Sequence, residues 1–173
     1  VNDSTADRVI TYGKSGDLSW HGEYSSTGMR VEFSFEGKLI DTDLLVHSEF
    51  EVANMAAALA AFLSMGHSID KLINLLPQVA SVPGRMQKIP GPKGCPAVVL
   101  DYAHTPDALE RVLRACRLHC KGRLICLIGC GGGRDVGKRP IMGRVAIENS
   151  DVCYFTSDNP RDEDPVEILT NMT

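Results

Sequence analysis

Leu124-Ile125-Cys126-Leu127-Ile128-Gly129-Cys130-Gly131-Gly132-Gly133-Arg134-Asp135-Val136-Gly137-Lys138-Arg139-Pro140 joins an apolar run, a glycine loop and a proline. The run Leu124–Ile128 reads as a strand. Proline suits the first position of a helix, so a helix is expected over Pro140–Asn149. Strand, glycine loop and helix form a layout that grips anions, because backbone N–H groups at a helix start point outward unpaired. Gly132 to Lys138 fits G-x-x-x-x-G-K, the first seven positions of a phosphate-binding P-loop. The eighth position calls for Ser or Thr to hold magnesium, and here it is Arg139. Either this is a phosphate loop without its magnesium ligand or it does a different job.

The flanking sequence fits an alternating α/β chain. Ala97–Leu100 is a continuous apolar run, expected as a strand buried on both faces and ended by Asp101. Thr105 caps a helix with Pro106 at its first position, Asp107 in its first turn, and Leu109, Val112, Leu113 and Cys116 on one apolar face. Val152–Thr156 is the next strand, and a further helix begins at Asp164-Pro165. Strand and helix in alternation predict a parallel sheet with helices on both faces. Ligands in such sheets bind beyond the carboxyl ends of the strands. Three polar clusters fall there: Asp101 to Asp107, Gly129 to Arg139, and Asp158 to Arg161.

Upstream the pattern is different. Residues 1–46 read as β-rich. Val31, Phe33 and Phe35 alternate with polar residues, Glu36-Gly37-Lys38 is a turn, and Leu39–Val46 is its hairpin partner. Tyr12–Asp17 holds Gly-Lys-Ser but lacks the preceding glycine of a P-loop and reads as a loop. Residues 50–65 are a helix, with Val52, Met55, Ala56, Leu59, Ala60 and Leu63 at helical spacing and Gly66 ending it. Ser68 opens a second helix, Ile69–Leu76, stopped by Pro77. Val82-Pro83-Gly84-Arg85 marks a boundary, followed by a charged loop containing Pro90, Gly91, Pro92, Gly94 and Pro96. Two domains are expected, 1–84 and 85–173.

Composition narrows the function. A length of 173 residues is enough for a sizeable core, and a net charge of −4 leaves no basic footprint for nucleic acid. No run of apolar residues is long enough to insert in a membrane. Val1 to Arg8 carry no signal-peptide pattern. None of the six cysteines forms a C-x-x-C pair, which argues against zinc and for reduced, structural thiols in a cytoplasmic protein. Cys130 stands apart because it lies in the glycine loop.

The clusters themselves leave alternatives open. A dinucleotide fingerprint needs glycine at position 134, where Arg134 stands, so a nicotinamide-dependent dehydrogenase is disfavoured. Arg134, Lys138, Arg139 and Arg161 form a dense positive group suited to carboxylate or phosphate, or else pair with Asp135, Asp158 and Asp162 on a solvated surface. His104 is a base or a hydrogen-bonding residue, and Asp101 a ribose ligand or a turn residue.

Asp101-Tyr102-Ala103-His104-Thr105-Pro106-Asp107-Ala108-Leu109-Glu110, the Gly129–Pro140 stretch and Asp158-Asn159-Pro160-Arg161 together resemble the Mur ligases. Within them they are similar to the MurE branch, the UDP-N-acetylmuramoyl-tripeptide synthetases. The match runs from Phe50 onward. The resemblance implies an α/β fold: a C-terminal Rossmann-like parallel sheet with helices on both faces, preceded by a β-hairpin and helical remnant of a central ATPase domain. The expected parent enzyme is an ATP-dependent ligase that uses Mg2+ and joins meso-diaminopimelate to UDP-N-acetylmuramoyl-L-alanyl-D-glutamate through an acyl phosphate. Such an enzyme acts in peptidoglycan synthesis and is expected to be cytoplasmic and monomeric.

Carried over by motif, Asn54 contacts adenine, Arg85 and Asp101 lie by ribose and phosphates, and His104 lies close to the nucleotide. Arg134 with Asp158, Asn159, Pro160 and Arg161 holds the incoming amino acid. Arg161 can grip the second carboxylate of diaminopimelate in two bonds. A sister ligase for lysine, or a binding module without catalysis, are the alternatives. The resemblance implies no catalytic or metal-binding residue in this stretch, since the P-loop and magnesium ligands are expected upstream, and the isolated chain is expected to be inactive. Ser48, Glu51 and Gly133 depart from the family pattern, which often has Gly, Asn and Asp there.

Overall fold

The computed structural model describes residues 8–25, 28–89 and 91–173. The expectations for residues 1–7 and for Pro90 lie outside the described residues. The chain divides into two compact units, 1–82 and 83–173.

The first unit begins with three antiparallel strands, β1 (Leu18–Tyr24), β2 (Met29–Phe35) and β3 (Lys38–Leu44), in the order β1-β2-β3. Met29, Val31, Phe33 and Phe35 of β2 are buried, so the alternation in the sequence marks the core face. Glu36 and Gly37, both at positive φ, make the two-residue turn that pairs Phe35 with Lys38. Tyr12–Asp17 is a loop, held by Thr11 Oγ1 and its N–H donating to Asp17. Helix α1 (Glu49–Ser64) buries Val52, Ala56, Leu59, Ala60 and Leu63 against the sheet's core residues. Helix α2 (Ile69–Leu75) follows and runs into a 3-10 turn, Leu76–Gln78, that contains Pro77. Pro77 therefore does not end the helical stretch outright. At the start of the 3-10 turn its missing N–H costs nothing.

The second unit holds β4 (Gln87–Ile89), β5 (Val98–Leu100), α3 (Pro106–His119), β6 (Ile125–Ile128), α4 (Lys138–Asn149), β7 (Val152–Phe155) and α5 (Pro165–Thr170). Strands β6 and β7 are parallel, Cys126 facing Cys153, as the strand–helix alternation requires. Leu109 and Leu113 of α3, Met142 and Ala146 of α4, and Ile168 of α5 form one core with Cys126 and Cys130. Cys153 and Phe155 pack against that core, while Ile125, Leu127 and Tyr154 on the opposite side of the ladder are exposed. Parallel strands with packed helices make this unit α/β, as the alternation predicts.

Two further expectations need correction. The run ending at Leu100 is not buried on both faces: Val98, Val99 and Leu100 are exposed, and β5 pairs antiparallel with β4, a strand hidden in the charged loop. A short apolar run shows that a segment is extended but not what covers it. Helix α4 starts two residues early, placing Pro140 at its third position. The first-turn N–H groups have no partners in the helix, so proline is tolerated there as well.

Candidate functional site

The ends of β6 and β7 lie side by side because the strands are parallel and in register. The loops that leave them, Gly129–Gly137 and Thr156–Asp164, therefore meet. Gly132 N–H donates to Asn159 O at 2.9 Å, and Gly133 N–H donates to Glu163 Oε1 at 2.6 Å. A Cβ on Gly129 would lie 2.5 Å from Thr156 O, one on Gly131 would lie 3.0 Å from Arg161 Nη1, and one on Gly132 would collide with Pro160 O. The glycines thus make room for the neighbouring loop, not for a phosphate or a ligand carboxylate. The N–H groups of Gly132 and Gly133, which a P-loop would aim at an anion, are already engaged. The G-x-x-x-x-G-K match does not form a phosphate cradle.

Arg139 is not part of the solvent-facing positive group. It is 1% exposed and pairs with Glu163 at 2.8 Å. It lies three residues before Met142 and seven before Ala146, on the buried stripe of α4. Burying an unpaired guanidinium is costly, so a carboxylate must meet it there. Glu163, which the sequence reading missed, is that carboxylate. An arginine on an apolar helical stripe was the signal available in the sequence. The Gly133 N–H, and then the Arg139 guanidinium, hold the Glu163 carboxyl below its ordinary value.

Arg161 turns the other way. Its Nη1 donates to Gly132 O at 2.6 Å. Its backbone has φ +53°, at the first corner of a turn closed by Glu163 N–H on Pro160 O at 3.0 Å. An L-residue pays about 1–2 kcal/mol in the left-handed region, a corner that glycine or asparagine fills more cheaply. Asn159 Oδ1 accepts from Arg161 N–H at 3.3 Å.

The β5–α3 loop is the third wall. Asp101 receives Met86 N–H and Ala103 N–H, one on each oxygen at 2.8 Å, the geometry of a turn residue that also fixes the Gly84–Met86 bend. That bend sets the Arg85 guanidinium 5.0 Å from the centre of the Tyr102 ring, a cation–π contact. Tyr102 meets the His104 ring edge-on at 5.4 Å, and His104 Nδ1 is 3.1 Å from Tyr102 O. Thr105 caps α3 as expected, accepting from Ala108 N–H at 3.3 Å. Lys138 Nζ donates to His104 O at 2.9 Å and ties this loop to the glycine loop.

Tyr102, His104, Gly131, Arg134, Lys138, Asp158 and Arg161 surround one cavity of about 340 Å³. Arg134 makes no ion pair among the described residues, and the cations of this cavity are not tied to Asp135, Asp158 or Asp162. Three cations and one carboxylate around a single space suit a small ligand carrying more negative than positive groups. Of the residues singled out in the sequence, Arg134, Asp158 and Arg161 share this cavity with His104. Asn159 and Pro160 shape its loop through backbone contacts. Asn54 belongs to the first unit, on the exposed side of α1. The Ser48 and Glu51 departures have a local reason: Ser48 Oγ accepts from Glu51 N–H at 3.3 Å and donates to Glu51 Oε2 at 2.9 Å, while His47 N–H donates to the same oxygen at 2.9 Å. This reciprocal capping box closes the start of α1. At the third departure, Gly133 takes φ +61°, a conformation that glycine adopts freely.

Arg85, Tyr102 and His104 offer a cation, an aromatic face and an imidazole, a donor set that fits ribose and phosphate. Among the described residues no group of three or more His, Cys, Asp or Glu side chains is arranged to hold a metal ion. Among the same residues no helix is long and apolar enough to cross a membrane.

The family model "Mur ligase, glutamate ligase domain" matches residues 84–173. A UDP-N-acetylmuramoyl-L-alanyl-D-glutamate–2,6-diaminopimelate ligase of Ectopseudomonas mendocina is 50% identical over 123 residues, covering 71% of this chain and 25% of the relative. The ligase of the same name from Haemophilus ducreyi is 44% identical over 154 residues, covering 83% of this chain and 31% of that protein. A solved structure of a ligase with that name aligns over 99% of this chain and 36% of its own, at a TM-score of 0.58 and 34% identity. The chain thus spans about a quarter to a third of the length of the curated relatives it matches.

Proposed function

The chain belongs to the Mur ligase family, and from that premise we propose that it supplies the amino-acid-binding side of an ATP-dependent ligase adding meso-diaminopimelate to UDP-N-acetylmuramoyl-L-alanyl-D-glutamate. Residues 1–84 would then be the end of the central ATP-binding domain, and residues 85–173 a Rossmann-like ligase domain. The observation that carries this reading is the cavity in which Arg134, Lys138 and Arg161 face Asp158. Diaminopimelate has two carboxylates and two ammonium groups, of which one ammonium must lose its proton to react. Arg161 and Arg134 each offer a planar fork to a carboxylate, and Asp158 accepts from an ammonium. Lysine lacks the second carboxylate and would leave one arginine unpaired.

A carboxylate does not condense with an amine unaided, and ATP supplies the activation by making its oxygen a phosphate leaving group. Asn54, Arg85, Asp101 and His104 are assigned to the nucleotide. Arg85 is the phosphate partner best prepared for that task, because Asp101 fixes its bend and Tyr102 its guanidinium. The amino-acid loops need do no proton chemistry. They hold two charged ends of the substrate so that the free amine points to the activated carboxyl, and that orientation is itself a large part of catalysis.

The test is Arg161→Ala in the complete ligase. Diaminopimelate KM is expected to rise about tenfold or more, the cost of a lost charge-assisted pair, with ATP KM unchanged. Equal damage to both constants, or a preference for lysine with Arg161 intact, refutes the assignment.

A further inference from the structure

We infer that Arg139 and Glu163, which do not line the cavity, are positioning residues that set the spacing of the two loops carrying Arg134 and Arg161. The inference rests on the substrate reading above. Arg139 is the largest fully buried side chain among the described residues. Its Nη2 lies 2.9 Å from Glu163 Oε1 and 3.5 Å from Gly131 O. The same Glu163 oxygen takes the Gly133 N–H. One carboxylate therefore ties together the first turn of α4, the glycine loop next to Arg134, and the turn two residues after Arg161.

Stability alone is a poor reason for such a pair. Apolar residues of similar volume often replace a buried ion pair without loss. This pair also leaves Arg139 Nε buried without a partner, which costs free energy. An apolar pair could not make directional bonds to Gly131 O and Gly133 N–H, and those bonds define where the glycine loop sits. The ionised state of Glu163 is favoured by the same Gly133 N–H and Arg139 contacts, so the tie is charged at neutral pH.

The test compares Glu163→Asp, Glu163→Gln and Arg161→Ala in the complete ligase, reading KM for diaminopimelate, KM for ATP and melting temperature. Glu163→Asp keeps the charge but draws the carboxylate back by one methylene. Glu163→Gln keeps the length and one acceptor oxygen but removes the charge that pairs with Arg139. The expected result is a diaminopimelate KM raised about tenfold or more in the Asp variant with ATP KM unchanged, since a misplacement on the order of 1 Å can cost up to about 100-fold. Should the Gln variant not fold, the Asp variant decides. A lower melting temperature with both KM values unchanged marks a purely structural pair and overturns the inference. If Arg161→Ala raises diaminopimelate KM and the Glu163 variants do not, the positioning role alone fails. If Arg161→Ala also leaves it unchanged, the substrate reading fails and takes this one with it.

Discussion

Gly132→Ala tests the contact between the two site loops directly. The φ of Gly132 is not positive, so alanine meets no backbone strain there, and only space opposes it. Its Cβ would collide with the carbonyl oxygen of Pro160. The Asp158–Arg161 loop must then retreat, which stretches Gly132 N–H to Asn159 O, now 2.9 Å, and Arg161 Nη1 to Gly132 O, now 2.6 Å. Overpacking costs about 1–3 kcal/mol, and each weakened bond adds about 0.5–1.5 kcal/mol. The loss is therefore about 2–6 kcal/mol, and at about 2 kcal/mol per molar it lowers the urea midpoint by about 1–3 M. Urea unfolding followed by circular dichroism measures it. Gly122→Ala is the control, since a Cβ there meets nothing within 4 Å and the change is expected to stay within about 0.5 kcal/mol. A Gly132→Ala midpoint equal to that of Gly122→Ala would refute the claim that these glycines exist to admit the second loop.

The other predictions concern stability. Ser48→Ala removes both hydrogen bonds of the Ser48 hydroxyl at the start of α1 and is expected to cost about 1 kcal/mol by urea unfolding, and an unchanged midpoint would show that hydroxyl to be idle. Burial pushes the Cys126 thiol from 9.0 up to about 12. Between those values the unfolded chain gives up a proton that the folded chain keeps, so stability is full below about pH 9 and falls as pH rises towards 12. Cys126→Ala should flatten that alkaline limb, and alkylation read by mass spectrometry should reach exposed Cys95 long before Cys126.

Much of the local structure was legible in the residues. Val31, Phe33 and Phe35 gave β2 by alternation, the Val52–Leu63 stripe gave α1, and Thr105-Pro106-Asp107 gave the start of α3, because each signal is complete within one segment. The motifs also marked Arg134, Asp158 and Arg161, which the structure brings to one cavity. Burial was less legible. The exposed β5 and the partner of Arg139 depend on segments that meet only after folding. Glu163 carries no motif of its own and becomes visible only as the carboxylate that a buried guanidinium requires.

The glycine loop shows the division most clearly. By itself the sequence determined that a tight glycine loop beginning at Gly129 joins a strand to a helix in an α/β unit, since glycine spacing and an apolar run are enough for that. What fills the space beside those glycines was decided by the tertiary structure. Parallel pairing of β6 with β7 brings the Asp158–Arg161 backbone against Gly131 and Gly132, uses the N–H groups that an anion would need, and buries Arg139 on Glu163. A hydrogen-bond donor is free to bind a ligand only if no other part of the chain reaches it first, and that depends on contacts between residues far apart in sequence.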